Sequence, residues 1–220
     1  MALNVREVFA TMQGEGSMAG APAVFVRLSG CNLWSGLAHL RHAGTGACAE
    51  WCDTDFAKGT RYEPGEVADT VLRLCDGWAR PFVVVSGGEP CLQLRTAGGE
   101  VLVRLLQQAG VAVAVETNGT VEADVLADLQ HVTVSPKALR APGEDALAHV
   151  RVRTGTDLKV VAPQWGHDEL DRMNEWAFTH RYVQPLDTGT GPGAVQPALA
   201  LAARLGWRVS AQVHKLLELP

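Results

Sequence analysis

Short, almost continuous apolar runs alternate along the chain with longer stretches whose apolar positions recur every three or four residues. "PAVFVRLSG" (22–30), "PFVVVSGG" (81–88), "VAVAVETNG" (111–119), "HVTVSPK" (131–137), "DLKVVAP" (157–163) and "RYVQPLD" (181–187) are rich in β-branched residues and close on Gly, Pro, Ser or Asp. Runs of this kind predict strands buried on both faces, as in a parallel sheet. Between them, helices are predicted over 65–79, 100–110, 122–130, 167–178 and 194–206. In the first, Val67, Val71, Leu74 and Trp78 fall on one face, and Gly110 closes the second as a helix C-terminus.

The repeated β-α order gives an α/β fold with a parallel sheet and outer helices. Five or six such units are too few to close an eight-stranded barrel, so an open, partial TIM-like barrel is expected. One domain should span 1–220, with no internal repeat or linker, and "GTGPG" (189–193) reads as a short loop. Polar residues gather at the predicted strand ends, in "SGGEP", "ETNG", "SPK" and "QP". Ligands of parallel α/β folds bind at those ends, so these loops should line one site.

Composition adds boundaries. With 220 residues, 47% of them hydrophobic, the chain can bury one sizeable core. A net charge of -5 and the lack of any Lys/Arg block argue against nucleic acid as a partner. Arg6 and Glu7 interrupt the N-terminus, and no apolar run approaches the roughly 18 residues of a membrane span, so no membrane partner and a cytoplasmic location are expected. In a reducing compartment, clustered thiols hold metals or do redox chemistry more often than they pair.

Of the five cysteines, Cys75 and Cys91 sit in apolar surroundings and read as small buried hydrophobes. Cys31, Cys48 and Cys52 instead share one loop, 31–56. Three thiolates without a fourth leave one iron of a four-iron cluster open to a ligand. A zinc site completed by His39 or His42 is equally compatible with the spacing, and unrelated core cysteines are the bland alternative. Asp53 and Asp55 read as turn residues, and His131, His149, His167 and His180 as surface or capping residues.

With "SGGEP" (86–90) following a strand after that loop, the chain resembles the radical S-adenosylmethionine superfamily. "EVFATMQGEG" (7–16), "CDT" (52–54), "ETNG" (116–119), "SPK" (135–137), "DLKVV" (157–161), "QP" (184–185) and "VSAQVHKLLELP" (209–220) further resemble the 7-carboxy-7-deazaguanine synthase family, in order and over nearly the whole chain. Some members carry a long excursion between the first two cysteines, as here. One departure stands out: the superfamily usually places two residues between its last two cluster cysteines, whereas Ala49, Glu50 and Trp51 separate Cys48 from Cys52.

The resemblance implies a radical S-adenosylmethionine lyase that contracts the ring of 6-carboxy-5,6,7,8-tetrahydropterin to 7-carboxy-7-deazaguanine with loss of ammonia, in 7-deazapurine (queuosine) biosynthesis. A 5′-deoxyadenosyl radical would remove a hydrogen atom from the pterin. It implies a four-iron four-sulfur cluster on Cys31, Cys48 and Cys52, and Mg2+ on Thr54. S-adenosylmethionine would have its amino group at Gly87, Gly88 and Glu89. Gln13, Glu15, Gly16, Arg27, His214 and Pro220 would meet the pterin; a homodimer and an electron donor such as flavodoxin are the implied partners.

The residues' own chemistry is compatible with this. Gln13 offers a donor and an acceptor, Glu15 accepts two N–H groups, and Arg27, in an apolar strand, must meet a carboxylate of protein or ligand. Thr117, Asn118, Ser135, Lys137 and Gln184 lie at strand ends, where they can reach ribose, carboxylate or adenine, or simply serve as turn residues. A glycyl-radical-enzyme activase and a non-catalytic zinc-binding module are the alternatives.

Overall fold

The computed structural model describes residues 1–139, 145–187 and 194–220. The "GTGPG" segment lies outside the described residues. Among the described residues, nine strands form one sheet: β1 (Leu3–Met12), β2 (Pro22–Leu28), β3 (Thr60–Tyr62), β4 (Phe82–Gly87), β5 (Ala112–Thr117), β6 (His131–Val134), β7 (Thr154–Ala162), β8 (Ala177–Pro185) and β9 (Arg208–Val209). Their spatial order is β3-β1-β2-β4-β5-β6-β7-β8-β9, with β3 and β9 at the edges, so the sheet is open as expected. From β2 through β9 neighbouring strands run parallel, and β1 runs antiparallel to both β2 and β3.

The helices are α1 (Pro64–Leu74), α2 (Cys91–Leu94), α3 (Ala97–Gln108), α4 (His167–Asn174), α5 (Val195–Leu205) and α6 (Val213–Leu216). Period-two alternation divides the strands between two cores. Val83, Val85, Val113 and Val115 pack in one cluster with Val67 and Val71 of α1 and Leu102 and Leu106 of α3. Phe82, Val84, Ala114 and Ala23 point the other way and form the second. Each of the buried valine and leucine side chains contributes roughly 1.5–3 kcal/mol relative to leaving it exposed. Glu63 and Glu66 form a capping box at the start of α1, and Pro64 supplies a first-turn residue that has no N–H to satisfy.

Four sequence expectations change. The helix expected over 65–79 ends at Leu74, so Trp78 lies beyond it. The 122–130 segment is a short 3-10 turn, Asp124–Asp128. The helix expected to reach 178 stops at Asn174, because Ala177 and Phe178 pair with Thr154 and Gly155 of β7; sheet hydrogen bonding overrides the helical periodicity. His131 is buried rather than on the surface, with Nε2 3.3 Å from Asp157 Oδ2. The N-terminal strand β1 escapes a pattern reading because the register shifts between Val5 and Glu7, which breaks its alternation.

Candidate functional site

The carboxyl ends of the parallel strands open into two cavities. One, of about 200 Å³, is lined by Cys31, Cys48 and Cys52 together with strand-end residues of β4 to β8. The other, of about 300 Å³, lies between β1, β2 and the C-terminal segment. Glu15, Asp53, Thr54, Ser86, Glu116 and Gln212 belong to both walls, so the two spaces are neighbours.

Cys48 is buried, and Cys31 and Cys52 are half-buried beside Trp34, Ala49 and Phe56. Burial pushes the Cys31 thiol up and the Cys48 thiol to about 11; Lys137 opposes the rise at Cys48, and the neighbouring thiolates add to it. The three thiols are thus close enough to repel as anions. Among the described residues, no three His, Cys, Asp or Glu side chains are arranged to hold a single metal ion, so the zinc reading with His39 or His42 finds no geometry. A four-iron cluster asks for something else, because each thiolate binds a different iron and the ligands stand around the cluster. Three thiols lining one hollow, with no fourth cysteine on its wall, fit that demand.

Along the same wall lie Gly87, Gly88, Thr117, Asn118, Ser135, Lys137 and Gln184, all expected from the sequence. Lys137 Nζ donates to Ser135 O and Oγ at 2.6 Å, and burial lowers its pKa. Gln184 Oε1 is a buried acceptor with no partner, although its Nε2 donates to Glu15 Oε1 at 3.0 Å. Such an acceptor suits a ligand that carries N–H groups.

Glu89, 1% exposed, lies behind the wall rather than on it. Its carboxylate accepts from Cys91 N (2.9 Å), Thr117 Oγ1 (2.6 Å) and Asn118 N (2.7 Å), so it ties the β4 loop to the end of β5. The glycines before it serve packing as well: a Cβ on Gly87 would lie 2.0 Å from Leu28 O, and one on Gly88 2.3 Å from Gly30 O. Glu89→Gln would turn an acceptor into a donor facing these N–H and O–H groups. The expected cost is about 1–2 kcal/mol, measured by urea unfolding of the apoprotein, and an unchanged midpoint would overturn this role.

The second cavity brings together Gln13, Glu15, Arg27, His214 and Pro220, five of the six residues expected at the substrate. Gly16 is the exception: it is not on the wall, its N–H donates to Ser210 Oγ at 3.1 Å, and its φ of +66° is one glycine accepts. Phe9 and Phe25 stack at 5.7 Å between centroids, and Arg27 lies 5.4 Å above Phe9 while pairing with Glu7 at 2.7 Å. An aromatic floor with a guanidinium at its edge suits a flat, carboxylated heterocycle.

Sequence reasoning missed the centre of the site. Lys159, 5% exposed, donates to Glu15 Oε2, and Gln212 Nε2 donates to Glu15 Oε1 at 2.8 Å. Burial alone would raise the Glu15 carboxyl, but the Lys159 charge and the hydrogen bonds from Lys159, Gln212 and Gln184 outweigh it and hold it at about 2. Gln13 Nε2 donates to Glu116 Oε1 at 2.7 Å, and Gln13 Oε1 accepts from Glu15 N at 3.1 Å. Glu116 opens the quoted "ETNG", and Lys159 stands in "DLKVV", but neither pattern reveals a partner.

No protein-family model matches the chain. It is 40% identical over 232 residues to the 7-carboxy-7-deazaguanine synthase of Burkholderia multivorans and 38% identical over 236 residues to that of Nitratidesulfovibrio vulgaris, covering 100% of both chains in each comparison. The crystal structure of QueE from Escherichia coli superposes with a TM-score of 0.67 at 25% identity, covering 97% of this chain and 95% of that one. Full-length identity at this level, on a matching open sheet, makes the chain a member of the 7-carboxy-7-deazaguanine synthase family.

Proposed function

We propose that this chain is a radical S-adenosylmethionine lyase that converts 6-carboxy-5,6,7,8-tetrahydropterin to 7-carboxy-7-deazaguanine. The observation that carries the reading is the pair of adjoining cavities, one lined by three thiols and the other by an aromatic and guanidinium wall. Cys31, Cys48 and Cys52 would hold a four-iron cluster. Gly87, Gly88, Ser135, Lys137 and Gln184 would line the S-adenosylmethionine space. When bound, this pair supplies hydrogen-atom abstraction.

The chain's own residues then bind, orient and shield. Arg27, which lies over Phe9 and pairs with Glu7, would meet the substrate carboxylate, and the stacked Phe9 and Phe25 would lie beneath the ring. The Glu15–Lys159 pair keeps a fixed charge arrangement between the cavities, since Glu15 stays ionised and Lys159 is pushed up. Thr54, on the shared wall, would offer its hydroxyl to Mg2+, an ion that takes few protein oxygens. His214 and Pro220 close the substrate side. A homodimer, a flavodoxin-like electron donor, a cytoplasmic location and a place in queuosine biosynthesis belong to the same proposal; among the described residues no helix is long and apolar enough to cross a membrane.

The test is anaerobic reconstitution with iron and sulfide, reduction, and addition of S-adenosylmethionine, Mg2+ and the pterin. Product with the mass and ultraviolet spectrum of 7-carboxy-7-deazaguanine is expected. A preparation with about four irons per chain that forms none would overturn the substrate assignment.

A further inference from the structure

The three-residue gap between Cys48 and Cys52 is absorbed by a helical turn. Ala47–Glu50 form a 3-10 turn, Trp51 N donates to Cys48 O at 3.1 Å, and Cys52 N donates to the same carbonyl at 2.8 Å. The bond from Cys52 N back to Cys48 O closes the turn across the extra residue, and both cysteines still line the same cavity.

Such a turn leaves carbonyls at its end without intrahelical donors. Here Arg41, from the long excursion between the first two cysteines, donates from NH1 to Ala49 O and from NH2 to Cys52 O, the latter at 3.0 Å. Its guanidinium lies 4.8 Å from the centroid of the Trp34 ring, which packs edge-on against Phe56 at 5.4 Å. Ala49 is fully buried among these side chains. Gly44 and Gly46 let the excursion fold this close: a Cβ on Gly44 would lie 2.8 Å from Ala49 Cβ, and one on Gly46 3.0 Å from Cys48 Sγ.

We infer that the excursion is a brace for the four-residue cysteine turn, and that Arg41 is the positioning residue that caps the turn and fixes Cys48 and Cys52 for cluster binding. The inference rests on the cluster reading above. A planar guanidinium reaches the two carbonyls from two separate nitrogens in a fixed fork, a geometry that the single ammonium nitrogen of a lysine does not reproduce. The same cation stands beside the backbone of a cluster ligand, and positive charge near a cluster favours its reduced state.

The test uses the full-length chain and its Arg41→Gln and Arg41→Lys variants. Each is reconstituted under identical limiting conditions, with iron and sulfide counted per chain and the midpoint potential followed by electron paramagnetic resonance. Thermal unfolding of the apoproteins checks that all three fold. Iron loading is expected to fall at least about twofold in Arg41→Gln, in line with the loss of a charged double hydrogen bond. The cluster that does form should have a lower potential, and Arg41→Lys should recover the potential more fully than the loading. Equal loading and equal potential in Arg41→Gln and wild type would overturn the role of Arg41 while leaving the cluster reading intact. A folded wild type that takes up no iron would overturn the cluster reading and this inference with it. Should Arg41→Gln fail to fold, Arg41→Lys decides: loading and potential both equal to wild type would overturn the role.

Discussion

Lys159→Met is expected to destabilise the protein by about 3–5 kcal/mol, because it strips the counter-charge from a carboxylate that stays buried. Glu15 and Lys159 have side chains only 11% and 6% exposed. Gln184 and Gln212 would still donate to Glu15 Oε1, but Oε2 would lose Lys159. Two neutral amides cannot replace an ammonium in a low-dielectric interior, so the variant's Glu15 should take up a proton. The pH dependence carries the signature. In the wild type the carboxyl is held at about 2 against an ordinary 4.5. Its stabilisation is therefore complete above about 4.5 and lost as pH falls toward 2. Lys159 is pushed above 10.5, so its contribution is full below that value and lost as pH rises beyond it. Lys159→Met should lose this acid-side dependence and become relatively more stable as pH falls. Urea unfolding of the apoprotein at neutral pH and near pH 4 measures both effects, and Glu15→Gln/Lys159→Met should be less destabilised than Lys159→Met alone. A single variant within about 1 kcal/mol of wild type at both pH values would show that the pair does not carry the charge balance of the site.

That pair also marks where a sequence reading ends. The parallel strands were legible because Val83–Val85 and Val113–Val115 are buried on both faces, and their runs are short, rich in β-branched residues and bounded by turn residues. The strand-end loops followed from the β-α order, so most of the cavity wall could be named in advance. Lys159 could not: a lysine within an apolar strand pattern carries no mark of its partner, and Glu15 lies 144 residues away. The Asp157–His131 contact is hidden in the same way, across two neighbouring strands. Gly87 and Gly88 stood at the expected place for a different reason, since the backbone of Leu28 and Gly30 already fills the space their side chains would need. Local pattern identifies the wall of this site; long-range pairing decides which of its polar atoms remain available to a ligand.

Availability is also decided at the C-terminus, where Gly14→Ala is expected to raise the KM for the pterin at least about tenfold, or ~1.4 kcal/mol, with cluster content unchanged. A Cβ at Gly14 would lie 1.9 Å from His214 Nδ1 and 2.9 Å from His214 Cβ, so the whole residue must move, not just the end of its ring. His214 cannot move alone. Val213 N donates to Gly14 O at 2.9 Å, and Thr11 Oγ1 donates to Pro220 O at 3.0 Å. Between these anchors Lys215 Nζ bridges Asp53 Oδ2 at 2.6 Å and Asp187 Oδ2 at 2.8 Å, which ties the segment to the residue between Cys52 and Thr54. The segment is otherwise weakly held, with Leu216 and Leu217 exposed. A local push at Gly14 should therefore release the tail as a unit and open the substrate cavity, while the buried sheet keeps its stability. Lys215→Ala should give a smaller rise in KM by loosening one anchor. Steady-state kinetics on protein of matched iron content separates these effects from cluster loss. A Gly14→Ala enzyme with wild-type KM would mean that the tail does not close over the bound pterin, and that the second cavity is walled by β1 and β2 alone.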